Sequence, residues 1–308
     1  MYEFAETWIV PAQLILAMFG MGATLSVRDF ALIFRYPVGL CIGLGLQLIL
    51  VPLVALAFIE ILGMSPGWAL GLLLIAVVPG GATSNLFTFL ARGNVPLSIA
   101  VTLTTTLVCM VTIPTILSLT ASSYLPADFQ MPVGQMIIDI IRCLLVPVAA
   151  GMIVYRKWPG RADQVARWSV RASLLLMLLV AIAAFGSGRM EIAEYGFGPP
   201  LAIVAFGVTL ALVVPQLCRL ANRFDDDTTT LSIEVVIRNT AIALLLVQFF
   251  FSGQPEQGHV LYTCLFYAGL SGLLMLPFLL LNRFDRSPVL FRARAPRPLD
   301  LEGHSGHE

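Results

Sequence analysis

"VVPGGATSNLFTFLARGN" (77–94) interrupts an apolar stretch in which residues 67–78 carry no charge at all. Pro79, Gly80 and Gly81 are followed at once by Thr83, Ser84 and Asn85. Proline has no N–H and glycine leaves helical angles cheaply, so the stretch predicts a half-helix ending near Val78 and a second one starting near Ser84. In hydrocarbon such a break is tolerated only inside protein or beside a water-filled cavity. The first half would end on free carbonyls, which suit a cation. The second would begin on free N–H groups at a positive dipole end, which suits an anion. Ser84 and Asn85 add neutral oxygens of the kind a hard cation such as Na⁺ prefers. A proline kink re-satisfied by neighbouring helices is the plainer reading, and a lone Pro-Gly-Gly would favour it.

The surroundings of the break are those of a membrane protein. The 308 residues are 58% hydrophobic and 12% charged, with a mean hydropathy of +0.89, against about 25% charged residues in soluble domains. A helical span takes about 20 apolar residues. Stretches of that kind run over 8–25, 37–60, 67–90, 95–118, 133–155, 168–187, 196–218, 228–251 and 260–281. Of the 18 Lys and Arg, all but Arg189, Arg142 and Arg238 fall in alternate loops, at their span ends or in the tail. The positive-inside rule then puts the N-terminus outside and the C-terminus in the cytoplasm, as an odd number of spans requires. "MYEFAETWIV" has two acids and no base, unlike a secretory signal, so the first span is expected to be retained. The expected architecture is an all-α polytopic membrane protein: one domain over 1–281 and a disordered cytoplasmic tail over 282–308, in the cell membrane.

A second apolar stretch is interrupted too. "LSIEVVIRNTAIALLL" (231–246) carries Glu234, Arg238, Asn239 and Thr240. It lies five spans after the first break, so the two face the membrane in opposite orientations. Paired broken helices in inverted halves point to a transporter's binding site. Glu234 at mid-bilayer costs at least about 2.5–3.5 kcal/mol and must be neutralised by a cation, a proton or Arg238 four residues on. Ser98 and Thr102 share one helix face, and they matter only if that face packs on the break. Gln47 is a lone amide in an apolar span. Asp139 and Arg142, three apart, read as a structural ion pair. The five cysteines read as apolar packing residues, His259 as an ordinary solvated side chain.

"PGGATSNLFTFLARGNVPLSIAVTLTTTL" (79–107), "MFGMGATLSVRDF" (18–30) and "LSIEVVIRN" (231–239) together resemble the bile acid:sodium symporter family over most of 8–281, in its nine-span form. The resemblance implies a panel of helices 8–25, 168–187 and neighbours, and a core in which 67–90 and 228–251 cross. It implies two sodium sites. The first would use Ser84, Asn85, Ser98, Thr102 and Glu234. The second would use Gln47, Glu234 and carbonyls around Val235 and Ile237. Here the second departs from the family pattern, because Arg238 stands where a glutamine is usual. Guanidinium has no acceptor oxygen and cannot ligate Na⁺. It stands in the second site as a built-in cation, or it swings into the cavity to hold a substrate carboxylate. Thr83, Arg238, Asn239 and Thr240 are the candidate substrate contacts.

The expected activity is symport of a small organic anion with sodium, one ion at the first site, by alternating access. A sodium-independent or proton-coupled transporter, with Arg238 replacing the second ion, is the alternative. An ion channel fits two interrupted helices less well, and no HExxH, GxSxG or paired catalytic Asp motif suggests an enzyme. The expected partners are the anion and the lipid bilayer, with no nucleic acid and no second copy of the chain.

Overall fold

The computed structural model describes residues 8–28, 37–121, 124, 133–186, 195–221, 226–251, 254 and 256–283. Arg189, most of the 119–132 connection and residues 284–308 of the tail lie outside them. Each apolar stretch is helical. In chain order the elements are α1 (Val10–Gly22), α2 (Pro37–Leu62), α3 (Pro66–Val77), α4 (Ala82–Leu90), α5 (Val95–Thr120), α6 (133–157), α7 (Pro159–Gly186), α8 (Gly198–Leu220), α9 (Asp226–Val236), α10 (Thr240–Phe251) and α11 (Gln257–Arg283). By length and composition, Pro37–Leu62, Val95–Thr120, Ile137–Lys157, Gly198–Leu220 and Gln257–Pro277 could each cross a membrane alone.

Among the described residues, α2 and α6 each carry an internal π turn, at Leu46–Leu50 and at Ile141–Leu145. Each lies just ahead of a Val-Pro pair, Val51-Pro52 and Val146-Pro147. A proline inside a helix removes one hydrogen bond and crowds the carbonyl four residues back, and a widened turn relieves both. The second π turn also changes the register between Asp139 and Arg142. The expected ion pair is not formed: Gln135 Nε2 donates to both Asp139 oxygens at 3.0 Å, and Arg142 is exposed.

The helices pack in two sets. One contains α1, α6 and α7. The other contains α2–α5 and α8–α11, with α3 against α11 and α8 against α9 as its main interfaces. In the first set α1 and α6 approach so closely that a Cβ on Gly22 would overlap the Val148 backbone, and one on Gly151 the backbone of Phe19 and Ala23. In the second, α3 is buried on every side from Gly67 to Val77, and α9 from Thr228 to Val236. The apolar circumference of α3 suits an interior helix, whereas α9 is buried with Thr228, Thr229, Thr230, Ser232 and Glu234 on it. The flanking α2, α5, α8 and α11 turn apolar faces outward, with Ile61 81%, Leu119 76%, Leu212 65% and Leu273 64% exposed. The two breaks, 78–81 and 237–239, are therefore buried within protein. Cys109, Cys218 and Cys264 are buried free thiols, and Cys41 is exposed. His259 is not a free solvated side chain: its ring lies 4.8 Å from Trp68 and 5.1 Å from Tyr195.

Candidate functional site: the crossing of two broken helices

The first break begins at Val78, so α3 ends at Val77, one residue short of the expected end. Proline disfavours helical angles in the residue before it, and Val78 is extended at φ −70°, ψ 148°. Gly81 is extended as well, and α4 starts at Ala82. The second break, at Ile237–Asn239, has neither proline nor glycine. Tertiary pairing holds it open. Gly80 and Arg238 form an antiparallel bridge, and the Asn239 N–H donates to Pro79 O at 2.8 Å. Each unwound segment thus satisfies backbone groups of the other, as burial demands.

The break orphans specific carbonyls. In an unbroken helix Ile75 O would accept from residue 79 and Ala76 O from residue 80. Pro79 has no N–H, and the Gly80 N–H goes to Gln47 Oε1 at 3.0 Å. Arg238 takes both orphans: Nε donates to Ile75 O at 3.3 Å and Nη2 to Ala76 O at 2.7 Å. Its Nη1 reaches Gln47 Oε1 at 3.4 Å. A cation at the C-terminal, negative end of α3 is well placed electrostatically. On the other side the Thr240 N–H turns back to Arg238 O at 2.9 Å, which leaves Val236 O free, and the Tyr267 hydroxyl donates to it at 2.9 Å.

Beside this crossing lies a cluster of oxygens. Glu234 is fully buried. Its Oε1 accepts from Ser84 Oγ at 2.7 Å, from Thr102 Oγ1 at 3.0 Å and from Ser98 Oγ. Its Oε2 lies 2.9 Å from Thr102 Oγ1. Asn85 Oδ1 stands 2.7 Å from Ser98 Oγ and 3.4 Å from Thr102 Oγ1. Ser84 Oγ also reaches Gly81 O at 2.6 Å. A hydroxyl has one proton to donate. Three hydroxyls therefore face a carboxylate, an amide oxygen and a backbone carbonyl, and acceptors outnumber protons. That imbalance is what a hard cation resolves. The cluster has no room to spare, since a Cβ on Gly80 would stand 2.5 Å from Glu234 Oε2.

All five residues expected at the first site, Ser84, Asn85, Ser98, Thr102 and Glu234, meet in this cluster. The second set does not assemble as a free cage. Gln47 is fully buried, but its oxygen already accepts from Gly80 and Arg238. Val235 and Ile237 are buried. Of the expected substrate contacts, Thr83 is exposed. Arg238, Asn239 and Thr240 are buried at 4%, 6% and 8% exposure, and Asn239 Oδ1 accepts from the Ile242 N–H at 3.4 Å as a cap of α10. The hydrogen bonds of Arg238 go to α3 and Gln47, while those of Glu234 go to α4 and α5. Two participants escaped the sequence reading. Thr88, buried, lies 3.2 Å from Ser98 Oγ; its place four residues after Ser84, on the same helix face, was the available signal. Tyr267 had none.

A family model described as the Sodium Bile acid symporter family matches residues 11–195, which include Gln47, Ser84, Asn85, Ser98 and Thr102. A sodium-dependent transporter of Bacillus subtilis (strain 168) is 30% identical over 250 residues, covering 80% of this chain and 76% of that protein. The sodium-dependent organic anion transporter of Bos taurus is 30% identical over 254 residues, 80% of this chain and 65% of its own length. The human ileal sodium/bile acid cotransporter is 26% identical over 258 residues, 83% of this chain and 72% of its own.

Proposed function

Because this chain belongs to the sodium bile acid symporter family, whose members are transporters and not enzymes, we propose that it is a secondary symporter that couples an organic anion to sodium. The observation that carries the reading is the proton-poor oxygen cluster. Ser84, Asn85, Ser98, Thr102 and Glu234 offer one carboxylate, one amide oxygen and three hydroxyls within hydrogen-bond reach of one another. Sodium, bound by such hard oxygens, would neutralise Glu234 and free the hydroxyl protons for the surplus acceptors. Four elements meet at that ion: α4, α5, α9 and the unwound segment around Gly80. Its arrival would tie the crossing into one body.

The substrate's negative charge would be met by the N-termini of α4 and α10, which both start at the crossing, with Thr83, Asn239 and Thr240 beside them. The set α1, α6 and α7 serves as panel and the remaining helices as core. Alternating access is rocking of one against the other about the fixed ion site. The membrane topology that goes with this has nine crossings, α3–α4 and α9–α10 counting as one each, with the N-terminus outside.

The test is uptake by proteoliposomes of bile acids and smaller organic acids, preselected by thermal-shift screening with and without Na⁺. Saturable uptake driven by an inward sodium gradient is expected. Asn85→Ala and Glu234→Ala should abolish that coupling while the protein still inserts. Full sodium-driven uptake by Glu234→Ala would defeat the assignment.

A further inference from the structure

We propose that Arg238 is a resident cation, occupying the position a second bound ion would take, so that this protein binds one sodium ion. The inference rests on the reading of the Glu234 cluster as a sodium site. It starts from what the guanidinium touches. Ile75 O, Ala76 O and Gln47 Oε1 are three neutral oxygens gathered at the negative end of α3. Carbonyl and amide oxygens converging on a helix C-terminus are a setting for a hard cation. Here the cation is covalent. Arginine keeps its charge in proteins, so the position is never vacant.

None of the three oxygens is left over for an ion. Ile75 O and Ala76 O are orphans of the Pro79–Gly80 break, and Arg238 satisfies them. Gln47 is locked from two sides. Its oxygen accepts from the Gly80 N–H and from Arg238 Nη1, and its Nε2 is buried without a hydrogen-bond partner. Turning the amide over to present oxygen elsewhere would set its NH₂ against two N–H donors. Gln47 cannot serve an ion while Arg238 holds this place.

Charge argues the same way. Arg238 is 4% exposed, so little solvent screens it. A second cation about 4 Å from it, at an effective dielectric of about 20, would bind roughly a thousandfold more weakly. The Glu234 cluster escapes this penalty because its own carboxylate offsets the arginine. The crossing holds one buried carboxylate and one buried guanidinium, so one sodium ion is the cation it takes up.

Equilibrium binding of radioactive sodium to the purified full chain in nanodiscs tests this without a substrate. The wild-type protein should saturate at one ion per chain with a Hill coefficient of one. Arg238→Gln removes the charge and supplies an amide oxygen, and should raise the count to two. Arg238→Lys keeps a cation there and should stay at one. Two ions per wild-type chain would overturn the proposal with no variant needed, as would an Arg238→Gln protein that still binds one. A wild-type chain that binds no sodium would instead overturn the sodium reading of the Glu234 cluster itself.

Discussion

Gly80→Ala adds a single methyl group to the most crowded point of the site. Its Cβ would stand 2.5 Å from Glu234 Oε2, 3.4 Å from Glu234 O and 3.5 Å from Gln47 Nε2. Non-bonded carbon contacts are comfortable from about 3.5 Å, so the carboxylate must retreat by about 1 Å. It is not free to do so. Ser84, Ser98 and Thr102 hold it from three directions, and α9 is packed on all sides from Thr228 to Val236. Losing one hydrogen bond to a charged group costs about 1.5–3 kcal/mol. At about 1.36 kcal/mol per decade, the half-saturating sodium concentration should rise roughly ten- to a hundredfold. The measurement is a sodium titration of thermal stability on the purified protein, with Gly45→Ala as control. A Cβ on Gly45 meets nothing within 4 Å, and in a helix the change should gain about 0.5–1 kcal/mol without moving the sodium midpoint. A Gly80→Ala protein that folds and keeps the wild-type midpoint would show that sodium does not use this carboxylate.

A reporter fused after Arg297 should behave as cytoplasmic, and an external signal would change the crossing count by one. Gly22→Ala puts a methyl group into the Val148 backbone where α1 meets α6. It should lower stability by about 1–3 kcal/mol, read as a lower melting temperature, and leave the sodium midpoint alone because no cluster residue is on either helix. An unchanged melting temperature would mean that α1 and α6 do not pack this way.

The first break was legible in the sequence because Pro79, Gly80 and Gly81 act locally, through the angles of the residues that carry them. The second carried no such punctuation. It could be suspected only from the cost of a carboxylate and a guanidinium in an apolar run, and what holds it open is the pairing with Pro79 and Gly80 in the other break. The meeting of Ser84, Asn85, Ser98, Thr102 and Glu234 was legible for a related reason. Ser98 and Thr102 lie on one face, and Ser84 and Asn85 open a half-helix, so proximity was the only unknown. The fate of Arg238 was not legible. Two geometries were open to it, and the choice depends on Ile75 O and Ala76 O, backbone atoms whose identity leaves no mark in sequence. The Asp139–Arg142 pair does not form because Gln135 takes Asp139 and Arg142 lies inside the π turn Ile141–Leu145, and the Val-Pro that goes with that turn follows both in the sequence.

The Gly80–Arg238 bridge joins residues far apart in the chain, and that distance has a consequence for biogenesis. When α3 and α4 leave the ribosome and enter the bilayer, the partners of Pro79 O, Ile75 O, Ala76 O, Ser84 and Thr102 have not been synthesised. The first half of the protein must wait in the membrane with open backbone and hydroxyl groups until α9 and α10 arrive to close them. Any chain stopped before Asn239 carries that unsealed defect at its centre.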